Sequence, residues 1–190
     1  MKQVSITVNQ IVLINSVKKN IRSELYSRMT QLPAGIQVLV RMYGIVTGGI
    51  SASLFHAEPV NDVDVYFTLN DAKEQFLQMI HEPEVQSHIA DVNPKYMVDT
   101  SVHGKLVTAH AVTFKNGIQV VTMHLSNARD TFDFVHTMPY YHIDSGKYYI
   151  SPQQLDAIST KTLIPNPSPK AFPVSDKRKL KFEMRGWKYA

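Results

Sequence analysis

"GGISASLFHAEPVNDVDVYF", residues 48–67, decides how the rest of the chain is read. Two glycines open a turn, "SASLFHA" has the length of a short helix, Pro59 and Asn61 turn the chain back, and "DVDVYF" alternates as a strand does. Side chains on a strand repeat with a period of two, so Asp62 and Asp64 point to the same face. Holding two carboxylates together is costly, because each raises the other's pKa and burial adds to the effect. A divalent cation removes that cost, and oxygen ligands suit Mg²⁺, which is usually held by one or two carboxylates together with substrate phosphates. The glycine turn supplies the other half, since backbone N–H groups at a helix start receive phosphate. Gly48 and Gly49 allow a close backbone approach, and Ser51 offers a hydroxyl. The stretch therefore reads as a site for a metal-bound nucleoside triphosphate. The plainer alternative, an edge pair of aspartates facing solvent, fits poorly with the apolar flank of Val63, Val65, Tyr66 and Phe67.

Working outward, "YGIVTGG" is a buried strand entering the glycine turn, and "AGIQVLVRM" after Pro33 is a helical turn or two. Residues 4–14 read as extended, and Ser16 as the cap of a helix through "VKKNIRSELYSRM". "DAKEQFLQMI" has helical spacing at Ala72, Phe76, Leu77 and Ile80, with Asn70 as its N-cap. "KLVTAHAVTF" and "IQVVTM" flank "KNG", a hairpin signal. "TFDFV" is a further strand candidate, and "YYHIDSGKYYI" a second hairpin. Ser175 and Gly186 bracket a C-terminal helix over about residues 174–187, with Leu180, Met184 and Trp187 on its core side. The mixture predicts an α+β fold, a mixed sheet flanked by helices. The whole of residues 1–190 is expected to form one domain, because the length suits one buried core.

Composition narrows the function classes. Hydrophobic residues make up 44% and charged residues 19% of the chain, which argues against wholesale disorder. Cysteine is absent, so there is no disulfide framework, thiolate nucleophile or Cys-bound zinc, in keeping with a reducing cytoplasm. The first residues make a poor signal peptide and no stretch approaches membrane-spanning length, so no membrane partner is expected. Charge is uneven: from Lys161 onward eight Lys/Arg face two acidic residues, against a slightly acidic remainder. Such a basic end points to a polyanionic partner, nucleic acid or a triphosphate, or else to a solvated helix face.

The strand, Gly-Gly turn, short helix and Asp-x-Asp strand resemble the signature of the DNA polymerase β-like nucleotidyltransferase superfamily. Thr47-Gly48-Gly49 and Asp62-Val63-Asp64-Val65 are the matching positions, with threonine where that family has a hydrophobic residue. "FDFVHTMPYYHIDSGK" is similar to a downstream segment of CCA-adding enzymes and poly(A) polymerases, with Asp133 at that family's aspartate. The stretch from Gly48 to "FEMRGWKY" looks like phage-encoded members of the superfamily. The resemblance implies a nucleotidyltransferase-like mixed sheet and Mg²⁺- or Mn²⁺-dependent transfer of a nucleoside monophosphate, with two metal ions roughly 3.5–4 Å apart. It implies Asp62, Asp64 and Asp133 as metal ligands, and Gly48, Gly49 and Ser51 on the β- and γ-phosphates. Lys177, Arg178, Lys181 and Arg185 would meet phosphates of the acceptor or the leaving pyrophosphate.

Two departures matter. Gln119 stands where CCA-adding enzymes carry a glutamate, and glutamine cannot act as a base. Phe132 replaces the family's arginine before Asp133, whose carboxylate would be either a third ligand or a ribose contact, or only a local cap. The helical domains that grip tRNA in CCA-adding enzymes have no room here, so CCA addition is not expected. An RNA 3′ end is the leading acceptor, a protein or small-molecule hydroxyl the next, and a catalytically silent nucleotide-binding, nucleic-acid-binding or structural phage protein the third. His136 and His142 read as structural or substrate contacts rather than zinc ligands. Tyr140, Tyr141, Tyr148 and Tyr149 read as hairpin packing before a base-stacking platform. The oligomeric state is not legible.

Overall fold

A computed structural model describes residues 7–91, 105–108, 110–123 and 130–190. Its centre is a six-stranded mixed sheet formed by β1 (Gly44–Thr47), β2 (Val63–Phe67), β3 (Ala111–Thr113), β4 (Ile118–Val121), β5 (Tyr140–His142) and β6 (Tyr148–Tyr149). The spatial order is β3-β4-β2-β1-β5-β6. Within this sheet, among the described residues, only β2 and β4 run parallel, with Asp64 opposite Gln119 and Tyr66 opposite Val121. The expected α+β mixed sheet flanked by helices is present.

Helices α1 (Val8–Met29), α2 (Ala34–Tyr43), α4 (Asn70–Met79) and α5 (Pro83–His88) contribute to the main core. In α1 the buried residues are Val17, Ile21, Leu25 and Met29, a four-residue spacing that draws one stripe down a helix. They meet Val63, Val65, Phe67, Ile118 and Val120 from one face of the sheet. A second, smaller cluster joins Ala52 of α3 (Ile50–Phe55), Phe134, Ile158 of α6 (Pro152–Ser159), Leu163, Phe182 of α7 (Asp176–Glu183), and Trp187. A short parallel pair, β7 (Thr162–Leu163) and β8 (Lys188–Tyr189), ties the segment after α7 to that after α6.

Several local expectations are corrected. Residues 8–14 are helical, because Thr7 and Gln10 form a reciprocal capping box that starts α1 before Ser16; residues 4–6 lie outside the described residues. The N-cap of α4 is Leu69, with Asn70 already inside the helix. "TFDFV" adds no strand to the main sheet: Phe134 makes one isolated bridge to Pro165 and a 3₁₀ turn follows at Val135–Thr137. The Asp133 carboxylate accepts the Phe134 N–H at 3.0 Å, a local bond that competes with ladder pairing. In α7, Ser175 is the N-cap as expected, and Trp187 is buried. Leu180 and Met184, however, are 56% and 80% exposed, and Phe182 takes the core position instead. Among the described residues no helix is long and apolar enough to cross a membrane.

Candidate functional site

β2 places its alternate side chains on opposite sides of the sheet. Val63, Val65 and Phe67 enter the main core, while Asp62, Asp64 and Tyr66 line a cavity of about 330 Å³ on the other face. Gln119 on β4 lines it too, in register with Asp64. Gln119 thus places an amide, not a carboxylate, across from Asp64. Gln119 donates from Nε2 to Thr113 Oγ1 at 2.9 Å, which leaves its Oε1 and the second Nε2 hydrogen for other partners. Arg178, Lys181 and Arg185 of the C-terminal segment form the opposite wall. Their spacing of three and four residues is the helical repeat, which brings all three to one side.

Burial pushes the Asp64 carboxyl up to about 6; the neighbouring Asp62 adds to the rise, and Arg178 and Lys181 act against it. A carboxylate held in this way takes a cation readily. Among the described residues no three His, Cys, Asp or Glu side chains come together as a metal-binding group. Asp133 in particular does not line this cavity. Its carboxylate, 8% exposed, is held by Arg178, which donates from Nε to Oδ2 and from Nη2 to Oδ1, the latter at 3.2 Å. In this arrangement Asp133 anchors a cavity cation.

The turn departs from expectation at two positions. Gly48 adopts φ +85° and donates its N–H to Thr137 O at 3.0 Å, so that hydrogen is not available to a phosphate. Its absent side chain matters more, because a Cβ there would collide with the Asp64 carboxylate. Thr47 Oγ1 lies 3.2 Å from Thr137 O and 2.9 Å from Pro139 O, so its one hydroxyl hydrogen is shared between these carbonyls at a buried strand end. Ser51 is buried, 1% exposed, and does not reach the cavity; it hydrogen-bonds the half-buried Tyr148. Ser53 lines the cavity in its place, one helical repeat from Gly49. Gly49 lines the cavity as expected, whereas Lys177 is exposed and does not.

Glu58, Lys161 and Arg28 escaped the sequence reading. Arg185 donates from Nε to Glu58 Oε2 at 2.9 Å and from Nη2 to Ser53 Oγ at 3.1 Å. Lys161 donates to Glu58 Oε1 at 2.7 Å and to the Arg185 carbonyl at 2.9 Å. Burial works to raise the Glu58 pKa, but Lys161 and Arg185 outweigh it and hold the carboxyl below its ordinary value. Arg28 fixes the loop leading into the carboxylate strand, donating to Asn61 O at 2.9 Å and Val60 O at 2.6 Å. Arg28 also pairs with Glu24 one helical repeat away, but its loop partners, and the partners of Glu58 and Lys161, lie far away in sequence. Lys181 has no hydrogen bond or ion-pair partner among the described residues, so its ammonium is uncommitted in the cavity.

His136 is fully buried, between Trp187 and Phe182 at ring-centroid distances of 4.2 and 4.9 Å. Neither ring nitrogen has a hydrogen-bond partner among the described residues. Burial pushes its pKa down to about 3, with Arg178 and Arg185 adding to the effect. It belongs to the packing beneath the cavity, as one of the two readings held. Trp187 is an interior anchor.

The family model for "Gad2: Gabija anti-defense 2 family protein" matches residues 13–161. The chain belongs to the Gabija anti-defense 2 family. In this family member the matched residues include the carboxylate strand, the glycine turn and Asp133, whereas the cations of α7 lie beyond them. No curated protein matches the chain. Among solved structures, "Thermotoga maritima CCA-adding enzyme complexed with tRNA_CCA" is similar at 13% identity and a TM-score of 0.48, over 87% of this Gabija anti-defense 2 chain and 42% of that enzyme chain. This chain therefore spans less than half the length of that enzyme.

Proposed function

We propose that the protein is a metal-dependent nucleotidyltransferase. It transfers a nucleoside monophosphate from a nucleoside triphosphate to an acceptor hydroxyl, and this transfer helps disable Gabija defence. The observation that carries the reading is one cavity divided between two carboxylates on a strand and three cations on a facing helical segment. The family description, anti-defense against Gabija, supports the biological direction.

The donor set fits a hard divalent cation. Asp62 and Asp64 are oxygen donors on one strand face, and Asp64 carries its charge at a cost that a cation would lift. Mg²⁺ or Mn²⁺, held by these carboxylates and completed by substrate phosphates, would activate the acceptor hydroxyl and offset charge on the leaving pyrophosphate. The chain's own residues do the positioning. Lys181 and Arg185 draw the phosphates to the helix side, where charge-assisted hydrogen bonds are strongest. Asp133 and Glu58 hold Arg178 and Arg185 in place, so these guanidiniums need little reorganisation when substrate arrives. Gly48 leaves room for the Asp64 carboxylate beside the turn. An RNA 3′ end is the favoured acceptor because of the basic helix, with a protein or small-molecule hydroxyl next.

One observation favours a second reading, a nucleotide-binding protein without turnover: Gln119 occupies the position beside Asp64 where a third carboxylate would act. The same experiment separates the two. Each α-labelled nucleoside triphosphate is incubated with the protein, Mg²⁺ or Mn²⁺, and cellular RNA and protein, beside an Asp62→Asn, Asp64→Asn variant. Label entering RNA or protein with the wild type alone is the expected result and names the acceptor class. Binding without transfer under every condition supports the silent reading.

A further inference from the structure

A second cavity of about 330 Å³ lies beside the first, and Tyr66, Phe132 and Arg178 line both. Its chemistry is different: Val121, Met123, Phe172 and Pro173 give it an apolar, aromatic wall. We propose that it holds the nucleobase of the nucleotide whose phosphates occupy the first cavity. The inference rests on the nucleotidyltransferase reading and assigns that substrate a base subsite.

Three observations carry it. The first is position. Asp64 and Tyr66 are two residues apart on the same face of β2, and Gln119 and Val121 repeat that step on β4. Two residues of strand span roughly 7 Å, the scale of the ribose that separates a phosphate from its base. A nucleotide lying along the strand face with its phosphates at the carboxylates places its base at Val121.

The second is shape and polarity. Every base has a flat π-face that stacks on aromatic rings regardless of sequence. Phe132 is held edge-on to Tyr66, with ring centroids 6.2 Å apart and planes at 77°. Phe172 is 57% exposed, an aromatic at the mouth of an apolar cavity where it can cover a base. The first cavity shares Tyr66 and Phe132, but its lining also carries Asp62, Asp64, Arg178, Lys181 and Arg185 and is the more polar of the two.

The third is an open polar group at the junction. Tyr66 is 7% exposed, yet among the described residues its hydroxyl has no hydrogen-bond partner, while the residue lines both cavities. The hydroxyl keeps open surface at this junction, so a ribose or base-edge atom can reach it as donor or acceptor. Arg178, fixed by Asp133, stands at the same boundary, where sugar meets phosphate.

The test is calorimetric titration of the full chain, in Mg²⁺, with ATP, GTP, CTP, UTP and inorganic tripolyphosphate, repeated with Phe172→Ala and Phe172→Trp. The expected result is that at least one nucleotide binds about tenfold or more tightly than tripolyphosphate. Phe172→Ala removes most of that preference and leaves tripolyphosphate affinity unchanged, and Phe172→Trp retains the preference. The exposure of Phe172 keeps both variants folded. Equal affinity for nucleotides and tripolyphosphate, or a preference that survives Phe172→Ala, overturns the base subsite while leaving the phosphate cavity intact. No binding of nucleotide or tripolyphosphate overturns the nucleotidyltransferase reading, and the subsite with it.

Discussion

The two faces of β2 share one backbone and differ in everything else. Val63, Val65 and Phe67 are no more than 3% exposed and packed among helices. Asp62, Asp64 and Tyr66 face a polar cavity roofed by cations. The odd-numbered side chains hold the fold together and the even-numbered ones carry the candidate chemistry, so a change of one residue along the strand exchanges a stability phenotype for an activity phenotype. Such a division is available to any strand whose opposite faces meet different surroundings.

The sharpest way to break this contrast is to substitute the two faces in turn. Asp64→Asn is expected to abolish nucleotide transfer in the labelling assay. The same change stabilises the fold: a carboxyl whose folded pKa is raised to about 6 binds its proton more tightly when folded. Ionised Asp64 thus costs stability that grows as pH rises from 3.8 to about 6 and is complete above it, and removing it returns about 1–3 kcal/mol at pH 7. Phe67→Ala, on the opposite face, is expected to lose about 3–5 kcal/mol in urea titrations. Its residual folded fraction should still bind nucleotide.

A subtler effect comes from His136. Burial keeps it neutral in the folded protein, with a pKa of about 3, while the unfolded chain takes up its proton near 6.5. Its stabilising contribution is whole above pH 6.5 and is lost as pH falls toward 3, at up to about 1.4 kcal/mol per pH unit. His136→Phe should flatten that acid limb when urea midpoints are measured at pH 7, 5 and 4. An unchanged limb would show that the ring is already charged or solvated. The smallest effect is expected from Leu180→Lys on the exposed side of α7, within about 0.5 kcal/mol by thermal melt; a large loss would mean that this face is covered in solution.

Much of this division was written locally. The strand at residues 63–67 follows from period-two alternation, and the turn before it from paired glycines, so both faces could be assigned without a structure. The start of α1 could not: Val4, Ile6, Val8, Ile11 and Val12 have the β-branched character of a strand, and the capping box at Thr7 overrode it. Leu180 and Met184 were assigned inward because they are apolar, but burial depends on what lies opposite, and Phe182 alone in α7 meets the small aromatic cluster. Within the candidate site, Asp62, Asp64, Gly49, Arg178, Lys181 and Arg185 do come together. The roles of Asp133, Glu58 and Ser53 depend on partners 45, 127 and 132 residues away, a separation at which no periodicity speaks.

The division of the cavity between Asp64 and Arg178 also has a temporal side. The chain emerges from the ribosome in order, and 114 residues separate these two walls. The carboxylate strand can pair with β1 as soon as both are made, whereas the cations arrive only with α7. Until that helix docks, the nascent protein presents Asp62 and Asp64 without the Arg178 and Lys181 charges that act on Asp64 in the folded chain. Synthesis itself thus sets the moment at which the charge of this cavity is first balanced.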